Sequence, residues 1–301
     1  MLSGLTDRDL VLTVVSGGGS ALLTLPNEMD VATLQNITQA LWKGGATISE
    51  VNTVRKHLSQ VTGGQLAQIA YPATMISFIF SDVPGNSIEM IASGPTVRDT
   101  TTIADAERIL AHYNVLTMCG LSGCPLIETP KEQKYFDRVL NMLLVTNNRA
   151  LNAMKTKALE LGYRAEITYD ALEGIASEVG AQFATVPVAP HSCYLFGGET
   201  TVKIRGDGKG GRNQEFALAA VDTVLDGRVI VAAGSDGWDN TDTAGALCDA
   251  GDRRRAEERG VSPFDHLAKN DSYPFWKAVG GAIETGKTGV NVADFYFIIS
   301  E

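Results

Sequence analysis

The chain has 301 residues, 44% hydrophobic and 20% charged, which excludes disorder as a general description and makes two domains the default. A net charge of −10 excludes a general nucleic-acid surface, so any anion must be met by a local cluster of cations. No apolar run reaches the ~18 residues of a spanning helix, the start lacks a signal-peptide pattern, and four scattered cysteines make no disulfide framework; the expectation is a reducing cytoplasm and no membrane partner.

Residues 10–16, LVLTVVS, form an apolar, β-branched run ending in GGGS and predict a buried strand feeding a tight loop. Asp30 as N-cap and the pair Gly44–Gly45 bracket a helix over 30–43, and a second helix fits 49–60. There Arg55, Lys56 and His57 are consecutive and so lie on different helix faces. TMISFIFS at 74–81 predicts another buried strand, with DVPGN and IASGPT beyond its carboxyl end, where open α/β sheets bind ligands. A helix over 103–113 follows, then an aperiodic connection over 114–135.

From 141 to 184 the pattern alternates: strand NMLLV, helix 147–161, strand RAEIT, helix 172–184. The two prolines of TVPVAPHS at 185–192 mark a hinge between domains. CYLF then enters GGET, and TVKIR alternates in polarity as a half-exposed strand would. A helix over 213–224, a buried strand over 228–233, helices at 252–259 and 273–279 and a strand at 295–299 complete the chain.

The glycine-rich loop GDGKGG at 206–211 precedes a helix and carries Lys209, with Arg212 beside it. Backbone N–H groups and two cations there suit a phosphate. It matches GxGxxG, but the charged TVKIR run before it is unlike the buried first strand of a dinucleotide fold. It is not a Walker A loop, because Gly210 follows Lys209. SGGGS at 16–20 is a second cradle for an oxyanion or phosphate. Asp82 and Asp236, each just beyond a strand, are candidate Mg²⁺ ligands or bases; Asp239 and Asp242 crowd the same loop as Asp236.

Together SGGGSALL (16–23), NTVRKHLS (52–59), SDVPGN and IASGPT (81–86 and 91–96), GGETTV (197–202), GKGGRNQE (208–215), AAGSDG (232–237), NDSYPFW (270–276) and TGKTGVNVADF (285–295) carry a resemblance. The chain resembles the class II glycerate kinases, the family whose carboxyl-terminal domain is called MOFRL. The resemblance implies a two-domain α/β fold. Residues 1–190 would form a three-layer α/β/α parallel, Rossmann-like sheet domain, and 191–301 a MOFRL-like α/β domain with a mixed sheet, the active site lying in the cleft between them. It implies ATP-dependent, Mg²⁺-assisted phosphoryl transfer to the 2-hydroxyl of D-glycerate or a similar hydroxy acid, giving 2-phosphoglycerate. Arg212 would stabilise the phosphoryl group, and Asp236 would be the base or a metal-linked carboxylate. Ser16, Gly17, Gly18, Gly19 and Ser20 would contact phosphate or the substrate carboxylate. Arg55, Lys56, Gly198, Glu199, Lys209, Gly210, Gly211 and Asn213 would complete the phosphate- and substrate-binding set, with Asp82 a further metal ligand. A homo-oligomer is compatible with all of this.

Two departures stand out. The family has a further amino-terminal segment with a lysine associated with catalysis, absent before Leu10 here, and Asn86 occupies what is usually an aspartate. The sequence therefore also admits a shortened, non-catalytic ligand-binding protein, and its nominal GxGxxG admits an NAD(P)-dependent hydroxypyruvate reductase.

Overall fold

The structure, a computed structural model, describes residues 2, 4–81 and 83–301. They divide into two compact units between Leu144 and Val145, with 83–85 clustering with the second.

The first unit begins with β1 (Leu10–Val15), a short α1 (Gly19–Leu22), α2 (Val31–Gly44), α3 (Ile48–His57) and α4 (Gln65–Ala70). β2 (Thr74–Phe80), α5 (Ile103–His112), α6 (Val115–Cys119) and β3 (Val139–Val145) follow. Local chemistry sets the helix ends: Asp30 accepts from Thr33 N at the start of α2, and the pairs Thr47–Glu50 and Thr102–Asp105 form capping boxes on α3 and α5. Leu34, Ile37 and Leu41 of α2 meet Val51 and Val54 of α3 and Ile109 and Leu110 of α5 in one helical core.

The three strands form a sheet in the order β1-β2-β3, with β1 and β2 parallel in the register Leu10↔Thr74 to Val15↔Ile79. The expectation that LVLTVVS is buried is corrected. Met75, Ser77 and Ile79 of β2 are buried, but Leu10, Leu12 and Val14 are 57%, 59% and 73% exposed. β1 is an edge strand, and one face of this small sheet carries no helix layer among the described residues, so a wholly apolar run ends up half in water.

The second unit comprises α7 (Asn147–Glu160), β4 (Arg164–Leu172), α8 (Ala176–Phe183), β5 (Ser192–Gly198), α9 (Arg212–Ala220) and β6 (Arg228–Gly234). It continues with β7 (Gly245–Asp249), α10 (Ala250–Arg259), α11 (Pro263–Ala268), α12 (Ser272–Val279), β8 (Ala282–Ile283) and β9 (Asp294–Ser300). Its sheet runs β4-β5-β9-β6-β7-β8, parallel between β4 and β5 and antiparallel elsewhere, which is the mixed sheet expected. Alternate residues of β5 and β9 serve opposite faces. Cys193, Leu195, Phe295 and Phe297 pack with Leu151 of α7, while Phe196, Tyr296 and Ile298 pack with Phe183, Phe216 and Trp276.

The unit boundary therefore falls some 45 residues before the prolines of 185–192, because β4 pairs along β5 and α7 packs on the same sheet. Those prolines lie in a pinned segment: Val186 and Val188 pack on the core, and Arg228 Nη1 donates to Val186 O at 2.9 Å. TVKIR is not a strand; it makes one bridge, Ile175↔Thr201, and then runs as irregular chain. β7 and α11 arise where no element was expected.

The two faces of the first sheet predict opposite responses. Met75→Ala should cost roughly 2–5 kcal/mol, the range for emptying a packed site. Leu12→Thr, on the open face, should stay within about 0.5 kcal/mol. Urea titrations of both variants test this; a large loss from Leu12→Thr would mean that the face is covered.

Candidate active site

Three chain segments meet at one end of the second unit's sheet because of its register. Gly198 at the end of β5 and Gly234 at the end of β6 both pair with Asp294, the first residue of β9. The antiparallel order brings two strand ends and one strand start into line, and α9 starts beside them with Arg212.

Arg212 grips Asp294 with both prongs: Nε donates to Oδ2 at 2.5 Å and Nη2 to Oδ1 at 3.1 Å. Its Nη1 lies 2.8 Å from Glu199 Oε1. Asp294 is buried while the Arg212 and Glu199 side chains are 35% and 41% exposed, so the pair is fixed on the inside and wet on the outside. Tyr296 Oη donates to Asp294 Oδ2 at 3.1 Å, and its oxygen accepts from Thr200 N at 3.1 Å. Burial first, and then the Asp294 charge, push the Tyr296 phenol well above its usual pKa, so it stays a donor. Asn147 Nδ2 donates to the carbonyls of Val292 and Asp294. Burial lowers the Arg212 pKa, but Asp294 and then Glu199 outweigh it and hold the guanidinium above its ordinary value.

The start of α9 is occupied by a protein carboxylate. Asp239 Oδ2 accepts from Gln214 N at 2.9 Å and Oδ1 from Asn213 N at 3.3 Å, doing the work that Gly211, the N-cap residue, cannot. A Cβ on Gly211 would sit 2.2 Å from Asp239 Cγ, so glycine there serves a close approach of protein to protein. The loop 206–210 is also engaged. Arg205 N and Gly206 N donate to Asn270 Oδ1, Gly208 N to Lys269 O, and Lys209 N to Asp271 Oδ1. The phosphate cradle expected at GDGKGG is thus filled by the NDSYPFW segment and Asp239, and the dinucleotide reading of GxGxxG loses its open helix start. Lys209 is exposed, with Nζ 4.4 Å above the Tyr273 ring. Asn213 is fully buried; its Nδ2 reaches Asp239 at 3.4 Å and its Oδ1 has no donor.

Asp236 is half-buried and accepts from Trp238 N at 3.0 Å. A Cβ on Gly234 would lie 3.2 Å from Asp236 Oδ1 and 3.5 Å from Asp294 Oδ1, so both carboxylates flank that strand end. No group of three His, Cys, Asp or Glu among the described residues is set to hold a metal ion. Asp294 is taken by Arg212 and Asp239 by the start of α9, while the Asp236 side chain accepts from Trp238 N alone among the described residues.

In the first unit, Ser16 and Gly18 are exposed, Gly17 and Gly19 are partly buried, and Ser20 Oγ lies 2.9 Å from Ser93 Oγ. Lys56 is buried with Nζ 3.3 Å from Asp99 Oδ1, and both residues line a small pocket with Asn52 and Thr53. His57 is fully buried between Thr53 O and Glu128. Arg55 is partly buried and makes no side-chain hydrogen bond or ion pair among the described residues. Asp82 lies outside the described residues. Asp294, Thr200, Tyr296 and Asn147 were not singled out from sequence. An aspartate opening the apolar run FYFII was the available signal for Asp294.

The MOFRL family profile matches residues 192–294, and a domain family of unknown function, DUF4147, matches residues 1–120. The D-glycerate 2-kinase of Thermotoga maritima is 38% identical over 98% of this chain and 73% of its own length. A relative from Agrobacterium vitis, named provisionally as a hydroxypyruvate reductase, is 40% identical over 99% of this chain and 72% of its own. The crystal structure of a Thermotoga maritima glycerate kinase superposes with a TM-score of 0.90 at 36% identity, covering 100% of this chain and 75% of that one.

Burial pushes the Asp239 carboxyl up to about 6, the four donors offsetting only part of that. Its contribution to stability is full below the unfolded value near 4 and is lost as pH rises through about 6, a change of about 3 kcal/mol. Asp239→Asn should remove this component. The stability gap between variant and wild type, from urea melts at about pH 4 and about pH 7, should shift by that amount in the variant's favour; an unchanged gap would refute it.

Proposed function

Because this chain belongs to the MOFRL family of glycerate kinases, we infer that it transfers the terminal phosphoryl group of ATP to the 2-hydroxyl of D-glycerate, giving 2-phosphoglycerate. The observation that carries the chemistry is Arg212, a guanidinium locked by a buried aspartate with one edge left toward water.

Phosphoryl transfer asks little covalent chemistry of the protein and much positioning of charge. Asp294 holds Nε and Nη2, so Arg212 keeps its orientation before any ligand arrives and little reorganisation accompanies the reaction. Among the described residues Nη1 is held by the half-exposed Glu199 alone, so a phosphoryl oxygen can replace that carboxylate at modest cost. Lys209, exposed on the same loop, adds a mobile charge for nucleotide phosphates. The backbone of Gly210 and Gly211 serves chiefly to pack against Ser272 and Asp239.

Asp236 is the proposed base for the acceptor hydroxyl, since its carboxylate keeps accepting capacity beyond its one hydrogen bond from Trp238 N. Mg²⁺ bound with the nucleotide would offset phosphate charge, and Asp236 is the residue that would hold it. Gly198 and Glu199 place the strand end against which Arg212 is set.

A coupled ADP-release assay across small hydroxy acids, with product identified by phosphorus NMR, tests the assignment. D-glycerate should give 2-phosphoglycerate. Arg212→Lys, which keeps charge but loses the fork, should fold and lower kcat by about 100-fold or more. Unchanged turnover in that variant would remove Arg212 from the chemistry.

A further inference from the structure

Among the described residues of the first unit, the buried charges of α3 are paired, while its partly buried Arg55 is not. Lys56 is matched by Asp99, which also accepts from Thr101 and Thr129, and His57 is matched by Glu128. Arg55, immediately before them in sequence, has no such partner among the described residues, and burial alone lowers its pKa with no acid opposing it. A partly desolvated guanidinium without an acceptor is costly unless a ligand supplies one.

Its surroundings supply neutral hydrogen-bonding groups. On α3, Asn52 and Arg55 lie one turn apart on the face that flanks the core residues Val51 and Val54. Asn52 Oδ1 accepts from Ser93 Oγ at 3.0 Å, and Ser93 Oγ lies 2.9 Å from Ser20 Oγ. Pro26 bridges Ser59, so the chain leaving α1 returns alongside the end of α3. Ser93 is held at φ 58 with Ala92 at φ 51, two left-handed non-glycine residues in succession. Such backbone conformations are costly for residues with a Cβ and persist where surrounding structure enforces them. Gly19 allows that turn to close in, since a Cβ there would lie 2.6 Å from Ala92 Cβ. Two loops are therefore packed so as to place Ser20 and Ser93 beside Asn52.

We propose that Arg55, with the Ser20, Ser93 and Asn52 side chains, forms the anchor for the carboxylate and free hydroxyl of the acceptor acid, an assignment that rests on the kinase function above. One unneutralised positive charge beside hydroxyl and amide groups matches a hydroxy-monocarboxylate; a polyphosphate would call for several cations, and Lys56 is already neutralised by Asp99. The planar fork of Arg55 receives the carboxylate oxygens, and the seryl hydroxyls exchange hydrogen bonds with the substrate's alcohol groups.

Two measurements on the full chain separate this site from the kinase assignment. In steady-state kinetics, Arg55→Met should raise KM for D-glycerate roughly 10- to 100-fold with KM for ATP unchanged, and Arg55→Lys should fall between. A rise in KM for ATP alone, or no change in either constant, overturns the proposal. Isothermal titration without ATP should show D-glycerate and lactate, but not glycerol, binding to wild type, and that binding lost in Arg55→Met. Acid binding that survives in Arg55→Met, equal binding of glycerol, or no acid binding to wild type overturns it. If wild type phosphorylates no hydroxy acid yet binds these acids through Arg55, the kinase assignment fails and the anchor stands. Circular dichroism checks folding, and Arg55→Lys decides the outcome should Arg55→Met not fold.

Discussion

The buried Asp294 carboxylate and the Arg212 fork that neutralises it are the constraint on which the second unit's functional end depends. A carboxylate this deeply buried is tolerable only when paired and hydrogen-bonded, and here two guanidinium donors and the Tyr296 hydroxyl do so. The same contacts fix where α9 begins, because Arg212 is its first residue, and where β9 begins, because Asp294 is its first. Thr200 and Asn147 then bind the ends of β5 and α7 to that point. A single ion pair thus sets the relative placement of four elements, and the exposed edge of the arginine is the part left for chemistry.

Around it, the features that look most like an empty phosphate site are already occupied. Asp239 sits at the start of α9 as an anion would, and Asn270 and Asp271 take the loop's amide hydrogens. Glycine is required at 211 because the Asp239 side chain is there. This gives the loop rigidity and leaves side chains, Arg212 and Lys209, as its groups for an anion. Burying Asp239 lowers stability near neutral pH, a cost compatible with a structure that must hold the first turn of α9 firmly.

The first unit shows the converse. Lys56, Lys131 and His57 are absorbed into a network with Asp99 and Glu128, while Arg55 remains without a counter-charge among the described residues. Consecutive residues on one helix therefore differ in role through what packs opposite them. The open face of the three-stranded sheet is a separate feature, since parallel sheets usually carry layers on both sides.

The sequence by itself determined the α/β class, the helices with Asp or Thr at their starts and glycine at their ends, and the family, whereas the alternation of TVKIR that pointed to a mixed sheet belongs to no strand of it. Those signals are local: caps, periodicity and short motifs act within a few residues. It also singled out Arg212 and Asp236, and Arg55 beside Lys56, as residues of interest. Which of these cations is free was decided only by tertiary structure, because Asp99 lies 43 residues from Lys56 and Asp294 lies 82 from Arg212. The exposure of Leu12, the filling of the GDGKGG loop by residues 269–271 and the unit boundary after Leu144 were settled in the same way. Burial and charge pairing depend on partners that the folded chain brings from far along the sequence, and a motif carries no record of them.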